Sequence, residues 1–129
     1  MWKVFSNNAC AQWDTPGQER FASLFPLYVG NCHGVMLVFD LTDRDAFSTD
    51  PDDATTLQSL WQMVRKHNPN CPCLLVGAKC DSAGRVVTRD TIDTFVREHG
   101  LLGYCETSAV TGEGVQDAFA KIVRSANFT

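Results

Sequence analysis

The sequence predicts a single α/β domain over residues 1–129, built around a parallel β-sheet, and two observations lead to this fold class. The apolar run Val35-Met36-Leu37-Val38-Phe39 lacks polar alternation, which is typical of a strand buried on both faces of a parallel sheet. Segments with apolar residues at helical spacing separate the strand candidates, and such alternation favours parallel pairing with right-handed crossovers. A chain of 129 residues is large enough for one core only.

The N-terminal part of the chain predicts a hairpin followed by a helix. Residues 2–5 and 9–13 are short strand candidates, and Ser6-Asn7-Asn8 between them suits a turn. After a Pro-Gly turn, Phe21, Leu24, Phe25 and Tyr28 follow helical spacing, although Pro26 must distort that helix.

The rest of the chain alternates strands and helices. Buried strands are predicted at 34–40 and 73–76, and a short strand at 103–107. Asp50-Pro51-Asp52-Asp53 predicts a helix start, because it combines a capping aspartate, a proline at the first helical position and acids in the first turn. The apolar stripe of this helix comprises Leu57, Leu60, Trp61 and Val64.

Two more helices are predicted towards the C-terminus. Thr88 is a candidate cap for a helix that ends at Gly100. Its apolar face comprises Ile92, Phe95, Val96 and His99, and the stripe of the last helix comprises Val115, Ala118, Phe119, Ile122 and Val123.

Composition excludes several classes of function. The net charge of −4 gives no electrostatic footprint for nucleic acid or an anionic membrane. No apolar run reaches the ~20 residues of a membrane span, and no secretory signal opens the chain. The six cysteines are scattered without a zinc-binding pattern, so buried, reduced thiols are expected.

The segment that carries the strongest functional signal is Trp13-Asp14-Thr15-Pro16-Gly17-Gln18-Glu19-Arg20-Phe21. Pro16-Gly17 suits a tight turn, and the glycine N–H stays open to an anion. Asp14 at a strand tip could hold hydrated Mg²⁺, and Gln18 could orient a water, as in phosphoryl-transfer switches. An ordinary strand-turn-helix corner would explain any one of these residues, but the nine together favour a phosphate-sensing segment.

These nine residues resemble the W-D-T-A-G-Q-E-R-F segment of Rab-type small GTPases of the Ras superfamily, with Pro16 at the usual alanine. Two segments that follow in order, 76–81 and 106–109, resemble the guanine-reading motifs G-N-K-x-D and E-T-S-A. The resemblance runs almost continuously from about Cys10 to Ala126. It implies a three-layer small-GTPase-like fold that lacks its first strand and first helix, in a family that binds GTP or GDP with Mg²⁺.

The resemblance also assigns candidate roles near the phosphates and the base. It implies that Asp14 serves the metal, that Gly17 senses the γ-phosphate, and that Gln18 is the catalytic residue that positions the attacking water. Lys79 would lie along the guanine base. Asp81 would accept two N–H bonds from the guanine edge, which separates guanine from adenine.

Two further pairs of residues match family positions. Ser108 would support the base-binding aspartate, and Ala109 would offer a backbone N–H to the base oxygen. Trp13 and Tyr28 match two aromatic residues that contact effector or regulatory proteins in Rab-type members. Core packing explains these two aromatic residues equally well.

Three departures from the family pattern predict that this chain neither binds GTP tightly nor hydrolyses it. Ala78 replaces the family's asparagine, and a lost hydrogen bond of that kind costs about 1–3 kcal/mol. Pro16 stiffens the switch turn. The dominant departure is that the sequence contains no G-x-x-x-x-G-K-[ST], the loop that cradles the phosphates. Losing four charged hydrogen bonds would cost roughly 6–12 kcal/mol.

The missing first strand would leave a gap of roughly 9.6 Å between the strand ending at Trp13 and the one ending at Asp40. Residues 1–5 could fill it, running antiparallel to their neighbours. A second chain could instead supply a strand, which would make a dimer by strand pairing or swapping. The third alternative is a loose hairpin. Intermolecular or rearranged pairing is favoured.

Two functions therefore follow from the sequence. The first is a Rab-like GTP-binding switch of membrane traffic, cytoplasmic and peripheral to membranes, with effector or regulatory proteins as partners. Residues 127–129 hold no prenylation cysteine, so no direct membrane anchor is expected in this chain. The alternative is a nucleotide-free pseudo-GTPase that acts as a protein-interaction module through Trp13, Tyr28 and the switch helix. With either function, neither Mg²⁺ nor nucleotide is expected to be bound in this chain.

Overall fold

The computed structural model describes the backbone of two N-terminal strands together with residues 30, 32–50, 52 and 56–125. Strands within these residues are β1 (Trp2–Phe5), β2 (Cys10–Trp13), β3 (Gly34–Asp40), β4 (Cys73–Ala78) and β5 (Tyr104–Glu106). The helices with complete bounds are α1 (Leu57–His67), α2 (Arg89–His99) and α3 (Val115–Ser125). The predicted helix over 21–28 and the candidate residues Asp14, Gly17, Gln18 and Tyr28 lie outside the described part of the chain.

The described strands form one sheet in the order β2-β1-β3-β4-β5. β3, β4 and β5 are parallel, with Val35 opposite Cys73 and Leu75 opposite Tyr104. The two connections between them contain α1 and α2, as expected for crossovers between parallel strands. The predicted α/β class with a parallel sheet is therefore confirmed.

The N-terminal hairpin occupies one side of this sheet. β1 pairs antiparallel with β2, and it also pairs antiparallel with β3, with Trp2 opposite both Trp13 and Leu37. Of the three alternatives for the gap, the structure therefore has the rearranged one, in which residues of the hairpin themselves lie between β2 and β3. Because β1 is antiparallel to both neighbours, β2 points in the same direction as the parallel strands.

Helices cover both faces of the sheet, which gives the expected three layers. On one face, Leu37 and Leu75 belong to a core cluster with Leu60 of α1 and Phe95 of α2. On the other face, a smaller cluster packs α3 against the sheet; its buried members are Met36, Leu74, Val76, Ala118 and Ile122. Successive residues of β3 and β4 thus point to opposite faces, and helices cover both faces, which explains the unbroken apolar runs in the sequence.

The caps of α2 agree with the sequence. Thr88 is the N-cap, and its side-chain oxygen accepts a hydrogen bond from the Thr91 N–H at 3.3 Å. Gly100 is the C-cap in the left-handed conformation, with φ 63° and ψ 38°. Each of the three helices with complete bounds has 11 residues, and none in the described part of the chain has the length and apolar character needed to cross a bilayer.

Two predictions about helices are wrong in detail. α1 begins at Leu57 with Thr56 as its cap, not at Asp50, since the Thr56 side chain accepts a hydrogen bond from the Ser59 N–H at 3.1 Å. Thr56 is also buried, which fixes the cap in the core. In α3, Val123 is 46% exposed, so the apolar stripe of this helix is narrower than expected.

Candidate functional site

The loops that follow β3, β4 and β5 lie at the same end of the sheet, because the three strands are parallel. The chain also leaves β2 towards this end, since β2 runs in the same direction. Ligands of α/β sheets bind at this carboxyl end. The segments predicted to carry function therefore begin after the carboxyl ends of strands that all run in one direction.

The loop after β4 contains Lys79 and Asp81 in a strained turn. Lys79 has φ 63°, and it is the only non-glycine residue with positive φ among those described. The turn is closed by a hydrogen bond from the Ser82 N–H to the Lys79 carbonyl at 3.0 Å. A second bond, from the Cys80 N–H to the Thr107 carbonyl at 3.0 Å, ties this turn to the loop after β5. Left-handed backbone in a residue with a side chain is often found at functional sites.

Asp81 and Ser108, predicted from two separate motifs, are in direct contact. The Ser108 hydroxyl donates to Asp81 Oδ1 at 2.7 Å, and its oxygen accepts from the Thr111 N–H at 3.1 Å. Ser108 is fully buried, whereas Asp81 is exposed. The buried hydroxyl therefore orients a carboxylate that solvent, or a ligand, can still reach. Ala109 is exposed in the following turn.

A close approach of the backbone keeps the loop after β5 in place. Gly114 has φ 74°, and a Cβ at this position would overlap the Glu106 carbonyl oxygen. The Ser108 N–H donates to the Glu113 carbonyl at 3.0 Å and closes the loop on itself. Only glycine fits position 114, so the position of Ser108 depends on it.

Lys79 pairs with Asp40, an acid outside the motifs that predict the site. Its Nζ lies 2.8 Å from Asp40 Oδ2, and Asp40 Oδ1 accepts from the Thr42 N–H at 2.8 Å and the Thr42 hydroxyl at 2.6 Å. Partial burial alone would raise the pKa of Asp40, but the bonds from Lys79 and Thr42 outweigh it and lower that pKa. Conversely, the hydrogen bond to Asp40 raises the pKa of Lys79.

A second unpredicted network surrounds Glu106 at the end of β5. Arg85 makes a two-pronged ion pair with it, with Nη1 to Oε1 at 3.2 Å and Nη2 to Oε2 at 2.5 Å. The Tyr104 hydroxyl donates to Glu106 Oε2 at 2.7 Å, and Arg89 stacks over the Tyr104 ring at 5.0 Å. Burial and the bond to Glu106 raise the pKa of Tyr104. These contacts join the loop after β4 to the end of β5.

Local sequence gives few signals for these partners. Asp40 was detectable as an acid that directly follows five apolar residues, at the tip of a buried strand. Arg85, Thr42 and Tyr104 have no periodic or motif signal, because their roles depend on which loops the sheet brings together.

The remaining candidates are not joined to these loops by the described contacts. Trp13 ends β2, three strand positions from β4, which is about 14 Å at the usual strand spacing. Within the described residues, no cluster of three or more His, Cys, Asp or Glu side chains is suited to hold a metal ion. The predicted metal ligand Asp14 and the catalytic candidate Gln18 lie outside these residues.

Comparison with known proteins places this chain in a family. The model of the Ras family matches residues 5–128. Ras-related protein Rab-7L1 of Homo sapiens is 33% identical over 122 residues, which cover 95% of this chain and 59% of the relative. Ras-related protein Rab-18 of Lymnaea stagnalis is 38% identical over 116 residues, covering 88% of this chain and 53% of the relative.

A third relative, Ras-related protein Rab-4 of Dictyostelium discoideum, is 39% identical over 114 residues, covering 88% of this chain and 52% of that protein. The chain thus spans little more than half the length of these curated relatives. The family match covers nearly all of the chain, and these three relatives all carry Rab names. The chain therefore belongs to the Ras family, as a Rab-type small GTPase domain.

Proposed function

We propose that this domain is the guanine-recognising part of a Rab-like switch of membrane traffic, and that its 129 residues alone neither bind GTP tightly nor hydrolyse it. The observation that carries the proposal is the contact between Ser108 and Asp81 at 2.7 Å. It joins the two loops that the family resemblance assigns to the base.

The residues present fit a guanine base. Asp81 is an exposed carboxylate whose Oδ1 is held by a buried hydroxyl. A carboxylate held in this way can accept two parallel N–H donors, which guanine offers along one edge and adenine does not. Lys79 lies beside it in the same turn, with 63% of its side chain exposed. One departure is Ala78, which ends β4 where the family has an asparagine.

This chain offers fewer groups that could bind the phosphates of GTP. The sequence contains no G-x-x-x-x-G-K-[ST], so the nest of backbone N–H groups and the lysine that such a loop offers are not supplied by these residues. Each hydrogen bond to a charged group contributes about 1.5–3 kcal/mol, so several missing bonds weaken binding by many decades. A preference for the base without tight binding of the triphosphate is the expected result.

In the switch segment, residues 13–21, the proposed roles concern the family's ligand, GTP with Mg²⁺. Asp14 would serve Mg²⁺, Gly17 would sense the γ-phosphate, and Gln18 would position the attacking water. When bound, the metal would neutralise charge on the phosphates. The protein that contains this domain would act in the cytoplasm at membrane surfaces, with effector or regulatory proteins bound through Trp13 and Tyr28.

Calorimetry and NMR spectroscopy test the two halves of the proposal separately. Titration with GTP and Mg²⁺ should show no saturation below about 100 µM. Titration with millimolar guanosine should shift backbone resonances of the two base loops, and adenosine should shift them less. Asp81→Asn should abolish the difference between the two nucleosides. Asp90→Asn, which changes an exposed acid outside both loops, is the matched control.

The outcomes of these titrations distinguish the claim about the phosphates from the claim about the base. Micromolar affinity for GTP would contradict the claim about the phosphates. Equal shifts with guanosine and adenosine in the unmodified chain would contradict the claim about the base.

The alternative function is a nucleotide-free interaction module, and one observation favours it. Lys79 already has a counter-charge in Asp40 at 2.8 Å, so the lysine that would lie along a base is engaged within the protein. A stable complex of the chain with a partner protein, unchanged by Asp81→Asn and by added guanine nucleotide, would support this alternative. Dimerisation by strand pairing stays a prediction that native mass spectrometry can test.

A further inference from the structure

Two cysteines that are 39 positions apart in sequence meet in the core at the opposite end of the sheet from the base loops. Cys32 precedes β3 and Cys71 precedes β4, and their Sγ atoms are 3.5 Å apart. Cys32 is 7% exposed and Cys71 is 3% exposed. A bond between the two sulfurs needs them to move closer by about 1.5 Å, since a disulfide is about 2.05 Å long.

The surrounding contacts hold both residues in position. Asn68 donates from Nδ2 to the Cys32 carbonyl at 3.1 Å, and the Cys71 N–H donates to the Asn68 carbonyl at 3.1 Å. Arg65 donates to the Cys71 carbonyl at 2.7 Å. Residues at the end of α1 therefore bind the backbones of both cysteines. The short distance between the two sulfur atoms thus results from the fold rather than from free side-chain rotation.

Hydrogen bonding also separates the roles of the two sulfurs. The hydrogen bond from Cys71, followed by those from the Gly34 backbone and from Asn68, lowers the pKa of the Cys32 thiol in spite of burial. The same bond to Cys32, together with burial, raises the pKa of Cys71. Cys32 is thus the more readily ionised thiol, and thiolates are the form that reacts with oxidants. Its small exposed surface admits only a small oxidant.

We propose that Cys32 and Cys71 form an oxidation site, at which a small peroxide converts the two thiols into an intrachain disulfide that staples the starts of β3 and β4. This site is independent of nucleotide, because it lies at the opposite end of the strands from Asp81 and Ser108.

The reaction balances in two steps. The Cys32 sulfur attacks one oxygen of hydrogen peroxide, the O–O bond breaks, and Cys32 sulfenic acid and water form. The Cys71 sulfur then attacks the Cys32 sulfur, the S–O bond breaks, and the hydroxyl leaves as water with the proton of Cys71. The two thiols lose two electrons in total, and the peroxide is reduced to two molecules of water.

Mass spectrometry of non-reduced digests tests the proposal. Mild hydrogen peroxide should link the peptides that contain Cys32 and Cys71, with the loss of two hydrogen atoms and reversal by dithiothreitol. Cys71→Ser should abolish this link. Cys73→Ser is the matched control, because Cys73 neighbours the pair and its thiol donates to the Cys71 carbonyl at 3.5 Å, yet it should not change the link.

A melting curve gives a second measurement on the same samples. Closing a loop of this length should raise the melting temperature of the oxidised chain by at least about 5 °C, with no rise in Cys71→Ser. In denaturant, where the fold no longer holds the sulfurs together, the link should form at least about tenfold more slowly.

Three results would overturn the proposal. One is oxidation of other cysteines while Cys32 and Cys71 remain thiols. Another is a link from Cys32 to Cys73. The third is a link between Cys32 and Cys71 that forms equally fast in the folded and unfolded chain, since the geometry of the fold would then not be its cause.

Discussion

At the scale of single residues, Glu106 shows how ion pairs position the base loops. Partial burial by itself would raise the pKa of Glu106, but hydrogen bonds from Arg85 and Tyr104 outweigh it and lower that pKa below its ordinary value of 4.5. Arg85 comes from the loop after β4 and Tyr104 from β5, so one carboxylate connects this loop to the strand. Its protonation should therefore be visible in the stability of the domain.

The pH dependence has a definite sign. Because the folded-state pKa of Glu106 is lowered, its contribution to the free energy of unfolding is fully present above about pH 4.5 and is lost as pH falls through the lowered value. Glu106→Gln should reduce the free energy of unfolding at pH 7 by about 1 kcal/mol, and the difference from the unmodified chain should shrink below pH 4.5. Urea unfolding between pH 3 and pH 7 measures both.

Arg85→Gln is the matched variant for this experiment, because it removes the same ion pair from the other side. It should also lower the free energy of unfolding at pH 7 and weaken the dependence of that free energy on pH in the acid range. If the free energy of unfolding of both variants depends on acid pH as it does in the unmodified chain, the ion pair does not contribute to stability as the geometry indicates.

Residue contacts were only partly predictable. Asp81 and Ser108 were expected to meet because two motifs in the right order implied it, and they do meet. The pairs Lys79–Asp40 and Arg85–Glu106 were not predicted. Each joins a loop residue to the end of a strand that is distant in sequence, and no local pattern states which loop and strand end the sheet places side by side.

At the scale of elements, the left-handed cap of α2 offers a clean test of backbone strain. Gly100 has φ 63°, and a Cβ built there would meet nothing within 4 Å. Gly100→Ala should therefore lower the free energy of unfolding by about 1 kcal/mol through the backbone alone, without a steric clash. Gly100→Asn should cost less, since asparagine tolerates this conformation better. Thermal and urea unfolding measure the changes.

Gly84→Ala is the control for Gly100→Ala. Gly84 is exposed and has no φ in the left-handed range, and its added Cβ would make ordinary contacts with Ser82 Oγ at 3.5 Å and Thr42 Cγ2 at 3.8 Å. Alanine there should be neutral or slightly stabilising. Equal losses at positions 84 and 100 would show that the conformation of Gly100 is not the cause.

Elements were more predictable than their boundaries. The buried faces of α1 and α2 followed from helical spacing, since Leu57, Leu60, Ile92 and Phe95 are all buried. The start of α1 could not be predicted from the sequence, because both Asp50 and Thr56 have capping side chains. Burial of Thr56 against the core decides between them, and local sequence does not contain that information.

At the scale of the whole molecule, the question is whether the N-terminal hairpin belongs to the same cooperative unit as the helices. β1 pairs with β3 over four residues, so the hairpin extends the sheet rather than standing apart. The sequence left several alternatives for this position, because the register of a strand is fixed by partners that are distant along the chain. Cooperative unfolding is the property that distinguishes an integral strand from a loosely attached one.

The three tryptophans of the chain allow this test without added labels. Trp2 and Trp13 lie in the hairpin strands, and Trp61 lies in α1. Trp61→Phe leaves only hairpin reporters, and the double variant Trp2→Phe/Trp13→Phe leaves only the helix reporter. Each variant is unfolded in urea and followed by both fluorescence and circular dichroism, so that its own stability is the reference. In both proteins the two signals should give one coincident transition, as two-state unfolding requires.

A fluorescence transition of Trp61→Phe that precedes its own circular dichroism transition would contradict this prediction. The hairpin would then unfold before the helices, and the pairing of β1 with β3 would contribute little to the stability of the sheet. Coincidence would instead mean that the antiparallel strand is an integral part of the fold, and that the base loops at the ends of β4 and β5 depend on the whole five-stranded sheet.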